Sequence, residues 1–231
     1  MGTKERQDRE RQAVTASILD AARDLFVAEG YQSVSIRKIA ERIEYSPAAI
    51  YSYFASKDDI FLALAEEGFH RLDEKVQSAM RTGDPLEDVR ANWWAFYEFS
   101  QEQPAYFQLL FVDRSVPRIT QQWEGFELLQ QMLNNAVAAI QRAIDAGRLP
   151  TTLSPNVAMH MLWAALIGPA VVGIRHRLAS GEDYDALARD VLNATIAGLQ
   201  AGVTTTFVSC KCPDEGIAGT QVPAGVRRHE S

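Results

Sequence analysis

The stretch VSIRKIAERIEYSPAAIYSYFASK, residues Val34–Lys57, limits the possible folds of this chain more than any other. Ser35 is a typical N-cap residue, and apolar side chains recur at helical spacing after it. Further along, Ser46 precedes Pro47, which pairs an N-cap with a proline at the first helical position, where a missing N–H costs nothing. We therefore expect two short helices joined by a tight turn and followed directly by a third, which is the pattern of a helix-turn-helix.

The second short helix, predicted over Pro47–Phe54, has the features of a recognition helix. Ile50 and Phe54 lie four residues apart and can anchor it inward, while the small Ala48 and Ala49 let its backbone approach a surface closely. Helical spacing alone leaves an alternative open, in which these residues belong to a compact three-helix core and the serines and proline only punctuate helices.

The net charge of −7 argues at first sight against a nucleic-acid binder. The acidic side chains, however, are concentrated away from the helix-turn-helix. Residues 1–57 carry nine basic and eight acidic side chains, whereas residues 58–231 carry fourteen and twenty-two. We call residues 1–57 the head. Its weakly basic charge balance predicts specific docking on DNA rather than strong non-specific adhesion.

Helical periodicity recurs along the whole chain and predicts an all-α fold. Glycine and proline mark where helices end, as at Gly30, Gly147 and the turn 82–85. The predicted helices cover approximately residues 12–29, 57–80, 85–103, 120–146, 155–174 and 184–201, with a short helix from Pro104.

The helix from Pro155 raises the alternative of a membrane span, because residues 157–174 contain no charged side chain. His160, Gly168 and Pro169 interrupt this apolar run. We favour a buried helix of a soluble domain and expect no membrane partner.

Aromatic, methionine and polar side chains from several predicted helices converge on a candidate pocket for a flat or apolar effector. The competing interpretation is an ordinary hydrophobic core, since a buried aromatic residue needs no ligand to explain it. His160 is the polar exception on an apolar helix and needs a partner if it is buried. The candidate effector-binding residues are Trp93, Trp94, Tyr97, Phe107, Phe111, Trp123, Phe126, Glu127, Met159, His160 and Trp163.

We predict no enzyme activity, no catalytic residues, no cofactor and no metal site. The sequence has no glycine-rich phosphate loop, nucleophile motif or metal-spaced His and Cys set. Cys210 and Cys212 stand one residue apart and do not complete a metal site or a disulfide framework. Because no apolar signal region opens the chain, we expect a cytoplasmic location.

Residues Phe26–Gly68 resemble the N-terminal domain of the tetracycline-repressor-like (TetR) family of transcriptional regulators. The matching landmarks occur in the family's order: Phe26, Gly30-Tyr31, Ser35, Ile39-Ala40, Ser46, Ile50-Tyr51, Phe54 and Lys57.

The resemblance implies a homodimer that pairs its last two long helices and binds a palindromic double-stranded DNA operator. Repression, relieved by a small hydrophobic or aromatic effector, is the family's usual outcome. The implied organisation is a mobile arm over residues 1–11, a DNA-binding domain over 12–57, an effector-binding and dimerisation domain over 58–202, and a disordered tail over 203–231. The alternative is a dimeric ligand- or partner-binding protein with weak or lost DNA binding.

The resemblance also assigns DNA contacts. Many family members have Gly and Thr where this chain has Ala48 and Ala49, so one expected hydroxyl is absent and Tyr51 and Ser52 must contribute more. Tyr51 has a competing role in packing against the first helix. The implied groove-facing residues are Pro47, Ala48, Ala49, Tyr51, Ser52 and Tyr53, and the implied phosphate contacts are Ser35, Arg37, Tyr53 and Lys57.

Overall fold

A computed structural model describes residues 3–79, 81–119, 125–174 and 182–207. Within these ranges every regular element is a helix, which confirms the all-α fold class. The helices are α1 (Thr3–Glu29), α2 (Ile36–Arg42), α3 (Pro47–Tyr51), α4 (Lys57–Gln77), α5 (Pro85–Glu102), α6 (Pro104–Phe107), α7 (Phe126–Asp145), α8 (Pro155–Ile174) and α9 (Tyr184–Ala201), with a 3₁₀ turn at Tyr31–Ser33 and a π-helical turn at Gln108–Val112.

Helix α1 begins much earlier than its apolar pattern indicated. Residues 3–11 are its first turns, so the prediction of a separate arm over residues 1–11 is wrong for that stretch. These residues are mostly good helix formers, and the Nε of Arg6 pairs with the Oε1 of Glu10 at 2.9 Å, one turn apart. The predicted end is confirmed, since Gly30 follows with a φ of 82°.

Helices α1, α2, α3 and the start of α4 enclose one small core. Ile18, Phe26, Ile39 and Ile50 are each fully buried there. The Tyr31 ring fills the space between helices, with its centroid 5.0 Å from that of Phe26. Burial of Ile50 fixes which face of α3 points inward and therefore which face is left outside.

Helix α5 is the central element of the C-terminal domain, because it packs against α4, α7, α8 and α9. Helix α9 has the bounds predicted for it, and α4 ends at Gln77, a few residues before the prediction. The first part of the predicted helix 120–146 lies outside the described residues. So do residues 208–231 of the predicted tail, with Cys210 and Cys212, whereas residues 203–207 follow α9 without helix.

Within the described ranges one helix, α8, is long and apolar enough over Pro155–Gly173 to cross a membrane by length and composition alone. Core helices of soluble proteins satisfy the same criterion. Here α8 packs against α5, α7 and α9, and Leu162 and Leu166 are buried against them.

Helix α4 is in direct contact with the segment after α5 at Gly68. A Cβ at this position would lie 2.9 Å from the Cδ1 of Leu110 and 3.0 Å from the Cδ1 of Tyr106. Those separations are shorter than van der Waals contact, so the absence of a side chain lets the two segments approach.

We expect Gly68→Ala to destabilise the protein by about 1–2 kcal/mol in urea unfolding, because overpacking outweighs the better helix propensity of alanine. The Leu110→Ala background is the matched test, since it removes the nearer of the two contacted side chains. There the same substitution should cost clearly less, because only the Tyr106 contact remains. Equal effects in both backgrounds would show that contact with Leu110 does not determine the cost of the added methyl group.

Candidate nucleic-acid interface and candidate effector pocket

The helix-turn-helix is held by the caps that the sequence predicts. The Ser35 Oγ accepts a hydrogen bond from the Lys38 N–H at 3.2 Å, and the Ser46 Oγ accepts one from the Ala49 N–H at 3.1 Å. Glu44, in the turn between α2 and α3, has a φ of 59°. Both caps satisfy backbone donors that are otherwise orphaned at a helix start.

We expect Ser46→Ala to lower the free energy of unfolding by about 1 kcal/mol, the usual cost of losing an N-cap. Ser46→Asp, which restores an acceptor at the same place, should recover most of that loss. The two variants are compared by their urea midpoints at constant slope. A loss that Asp does not recover would mean that Ser46 acts other than as a cap.

One face of α3 is free for a partner. Ile50 is fully buried, whereas the Tyr51 side chain is 57% exposed. The alternative role of Tyr51 in packing against α1 therefore does not hold within this chain. Helix α3 ends at Tyr51 rather than at Phe54, three residues earlier than predicted. The other exposed residues of this face are Pro47, Ala48 and Ser52, with Ala49 partly buried beside them.

The first turns of α1 support the end of this face. The guanidinium of Arg11 lies 5.2 Å from the ring centroid of Tyr53, and its Nη2 donates to the Ser52 carbonyl at 3.4 Å. A cation is favourable at the carbonyl end of a helix. Sequence reasoning missed this support because it placed Arg11 in a separate arm.

A shallow cleft of about 540 Å³ lies between α2, α3 and the start of α4. It brings together five of the residues that the resemblance assigned to DNA, although they come from three separate elements. These are Ser35, Arg37, Pro47, Tyr51 and Lys57.

The two cations of this cleft differ in their surroundings. The Arg37 Nε pairs with the Glu41 Oε1 at 2.8 Å, and its side chain is largely exposed. The Lys57 Nζ instead donates to the Tyr31 carbonyl at 2.8 Å and to the Val34 carbonyl at 3.0 Å. The ammonium also lies 4.1 Å from the Tyr31 ring centroid. Lys57 therefore holds the loop before α2 in addition to facing the cleft.

Tyr31 connects the loop before α2 to the first turn of α4. Burial, followed by the hydrogen bond that its hydroxyl donates to the Asp58 carboxylate, raises the pKa of Tyr31 above its ordinary value. The hydroxyl consequently stays protonated at physiological pH and remains a donor to Asp58.

The predicted effector residues fall on two sides of α5. On one side the rings of Phe96, Phe107 and Phe111 are in mutual contact, with centroid separations of 5.1 to 5.6 Å. Phe69 of α4 joins Phe111 at 6.2 Å, and Trp93 joins Phe96 at 5.9 Å. We call Phe69, Phe96, Phe107 and Phe111 the phenylalanine cluster.

Trp94 and Tyr97 lie on the other side, against α9. The Tyr97 hydroxyl donates to the Asp185 Oδ1 at 2.9 Å, and burial followed by this hydrogen bond raises the pKa of Tyr97. The Arg189 guanidinium lies 4.7 Å from the Trp94 ring centroid, and the Trp94 Nε1 donates to Glu98. The prediction of one pocket containing all these aromatics is therefore corrected: α5 separates them into two groups.

The remaining candidates are dispersed. Met159 is buried, Phe126 is partly buried and Glu127 is exposed. His160 finds its partner in the Asn156 carbonyl, 2.7 Å from Nδ1, and its ring lies beside Phe207. Trp163 is 40% exposed on α8 and so does not line an interior pocket of this subunit. Trp123 lies outside the described residues.

No group of three or more His, Cys, Asp or Glu side chains in the described part of the chain could hold a metal ion. The outer side of α3 and the cleft beside it present an exposed helix face with hydroxyl and cationic neighbours, which suits base edges and phosphates.

Comparison with known proteins agrees with this geometry. The family described as "Bacterial regulatory proteins, tetR family" matches residues 18–64. The HTH-type transcriptional repressor AcnR of Corynebacterium diphtheriae is 30% identical over 173 residues, which cover 74% of this chain and 84% of that protein. The fatty acid metabolism regulator protein of Bacillus subtilis is 23% identical over 194 residues, covering 79% of this chain and 93% of that protein.

The structural similarity to known proteins extends beyond the head. The crystal structure of the transcriptional regulator FadR from Bacillus subtilis in complex with stearoyl-CoA superposes with a TM-score of 0.64 at 19% identity, covering 79% of this chain and 98% of that one. Similarity thus includes the C-terminal helices as well as the helix-turn-helix. This chain belongs to the tetR family of bacterial regulatory proteins and is a DNA-binding transcriptional regulator.

Proposed function

We propose that the chain acts as a homodimeric repressor that binds a palindromic operator and is released from it by a small hydrophobic effector. The observation that carries the proposal is the exposed face of α3 beside the cleft of Ser35, Arg37 and Lys57. Each subunit places one such face in the major groove of one half-site, and the regulator works in the cytoplasm, where its operator is.

Base and phosphate contacts divide by side-chain chemistry. Ala48 and Ala49 contact thymine methyl groups, while the hydroxyls of Tyr51 and Ser52 reach base edges, and Pro47 sets the approach of the backbone. The phosphate contacts come from hydroxyls and cations, which fix register without reading sequence. These are Ser35, Arg37, Tyr53 and Lys57.

Dimerisation through α8 and α9 accounts for apolar side chains that stay exposed in one subunit. Trp163 on α8 is 40% exposed and Leu187 on α9 is 38% exposed. Each belongs to a helix whose other face is buried against the same subunit. An isologous four-helix arrangement would cover both residues, and two-fold symmetry would match a palindromic operator.

For the effector, the phenylalanine cluster favours an apolar chain over a charged or sugar-like ligand. The named relative FadR was crystallised with stearoyl-CoA, which makes a long-chain acyl thioester the first effector class to test. Release requires only that the effector bind one head arrangement better than the other. A coupling of about 1–3 kcal/mol changes operator affinity by one to two orders of magnitude.

DNA binding is tested by selecting duplexes from a random pool with the full-length chain at low salt. We expect a palindrome whose half-sites lie about one helical turn, or a multiple of it, apart. Enrichment of no duplex would favour the other hypothesis, a dimeric ligand- or partner-binding protein that has lost DNA recognition.

The effector class is tested separately on the selected operator. Stearoyl-CoA should release the DNA, whereas coenzyme A alone should not, because it lacks the apolar chain. If neither molecule releases the operator, the acyl thioester class is rejected while DNA binding stands.

A further inference from the structure

Two hydrogen bonds connect the head to the segment that follows α5. The Nη1 of Arg23 on α1 donates to the Tyr106 hydroxyl at 3.5 Å, and the Gln32 Nε2 donates to the Ser115 carbonyl at 2.8 Å. Tyr106 is the more enclosed of the two C-terminal partners, with 2% of its surface exposed.

The Tyr106 ring lies among cations from two different helices. The guanidinium of Arg23 on α1 is 5.5 Å from its centroid, and that of Arg71 on α4 is 5.1 Å away. Such cation–π contacts strengthen as they lose water. Tyr106 thus connects α6 both to α1 of the DNA-binding domain and to α4, the helix that leads out of that domain.

Acidic neighbours hold the two guanidinium groups in place. The Arg23 Nη1 lies 2.7 Å from the Asp20 Oδ1, and its Nη2 lies 3.1 Å from the Asp24 Oδ1. The Arg71 Nη2 lies 2.7 Å from the Glu67 Oε1. Both guanidinium groups therefore have acidic partners in addition to the Tyr106 ring.

The next residue, Phe107, is fully buried, and its ring contacts Phe96 and Phe111 of the phenylalanine cluster. Adjacent residues on one short helix therefore contact the candidate effector region and the head. The backbone after them is a π-helical turn, a geometry that occurs frequently at functional sites. Tyr106 packs against α4 at Gly68, where an added Cβ would lie 3.0 Å from the Tyr106 Cδ1.

We infer that Tyr106 is a positioning residue that sets the angle of the head and hence the separation of the two recognition helices in the dimer. This inference rests on the proposed function, because a separation has meaning only for a dimer on a palindrome.

The test compares affinity for a full operator with affinity for a single half-site. A wrong head angle weakens the full operator, where both heads must engage together, and leaves half-site binding unchanged. A residue that only stabilises the fold moves both affinities alike. The variants are Tyr106→Leu, Tyr106→Phe, and the control Phe99→Leu, which removes an equally buried ring of α5.

We expect Tyr106→Leu to lower the full-to-half affinity ratio about tenfold, within the usual range of coupling between sites. Tyr106→Phe, which keeps the ring between the arginines, should recover most of the ratio, and Phe99→Leu should leave it near wild type. If Tyr106→Leu does not fold, Arg23→Met removes the cation from the ring and should lower the ratio in the same direction.

An unchanged ratio in the folded Tyr106 or Arg23 variant, or an equal fall in Phe99→Leu, would overturn the inference. Failure of the wild-type chain to bind any duplex would instead reject the proposed function. The two failures are therefore distinguishable in one set of titrations.

Discussion

Replacing Ala48 with Glu is expected to lower operator affinity roughly 100-fold or more while leaving the fold intact. Ala48 is exposed on α3, so the new carboxylate would enter the groove between phosphates. It also lies in the first turn of α3, where an acidic side chain does not disfavour the helix. A loss of about 1.4 kcal/mol or more at each of two half-sites lowers affinity roughly 100-fold or more.

The measurement is fluorescence anisotropy with the selected operator, alongside thermal unfolding. Ala138→Glu is the matched control, because Ala138 is also exposed and helical but lies on α7. The control adds the same charge to the subunit and should bind as wild type. Equal losses in both variants would indicate a general effect of net charge, and full binding by Ala48→Glu would show that α3 does not enter the groove.

Lys57→Met is expected to lower both stability and operator affinity. Its ammonium donates to two backbone carbonyls of the loop before α2 and lies over the Tyr31 ring. Charge-assisted hydrogen bonds of this kind lead us to expect a loss of about 2–3 kcal/mol in the free energy of unfolding. The loop before α2 then loses its anchor, so the cap at Ser35 and the cleft lose their geometry.

The control is Lys38→Met, which breaks the surface ion pair between Lys38 and Glu29. Exposed pairs contribute about 0–1 kcal/mol, so this variant should unfold near the wild-type urea concentration. If Lys57→Met loses DNA binding with no change in stability, Lys57 acts on phosphate alone and its carbonyl contacts contribute nothing measurable.

Local signals explain why the helix-turn-helix was predictable in detail. Ser35, Ser46 and Pro47 act on backbone groups within three residues, so their effect is visible in the sequence. The start of α1 was missed because its first turns carry no apolar face. A local signal for a helix there was the pair Arg6 and Glu10, which are spaced one helical turn apart and form an ion pair.

The candidate effector pocket was less predictable because its geometry depends on contacts between distant residues. A helical wheel shows that α5 is apolar on more than one face, but it does not show which helix covers each face. Trp94 and Tyr97 face α9 because Arg189 and Asp185, about ninety residues away, supply their partners. Tyr106 falls in the short helix predicted from Pro104, and the two arginines beside its ring are visible only in three dimensions.

The function of this regulator depends on DNA binding by α3. Hydroxyl-radical footprinting tests this binding most directly, on the DNA upstream of the chain's own gene. We predict two protected half-sites on one face of the duplex, separated by about one helical turn or a multiple of it, with protection lost in Ala48→Glu. Uniform cleavage at low salt on both this DNA and the duplexes enriched by selection would contradict the assignment of a DNA-binding regulator.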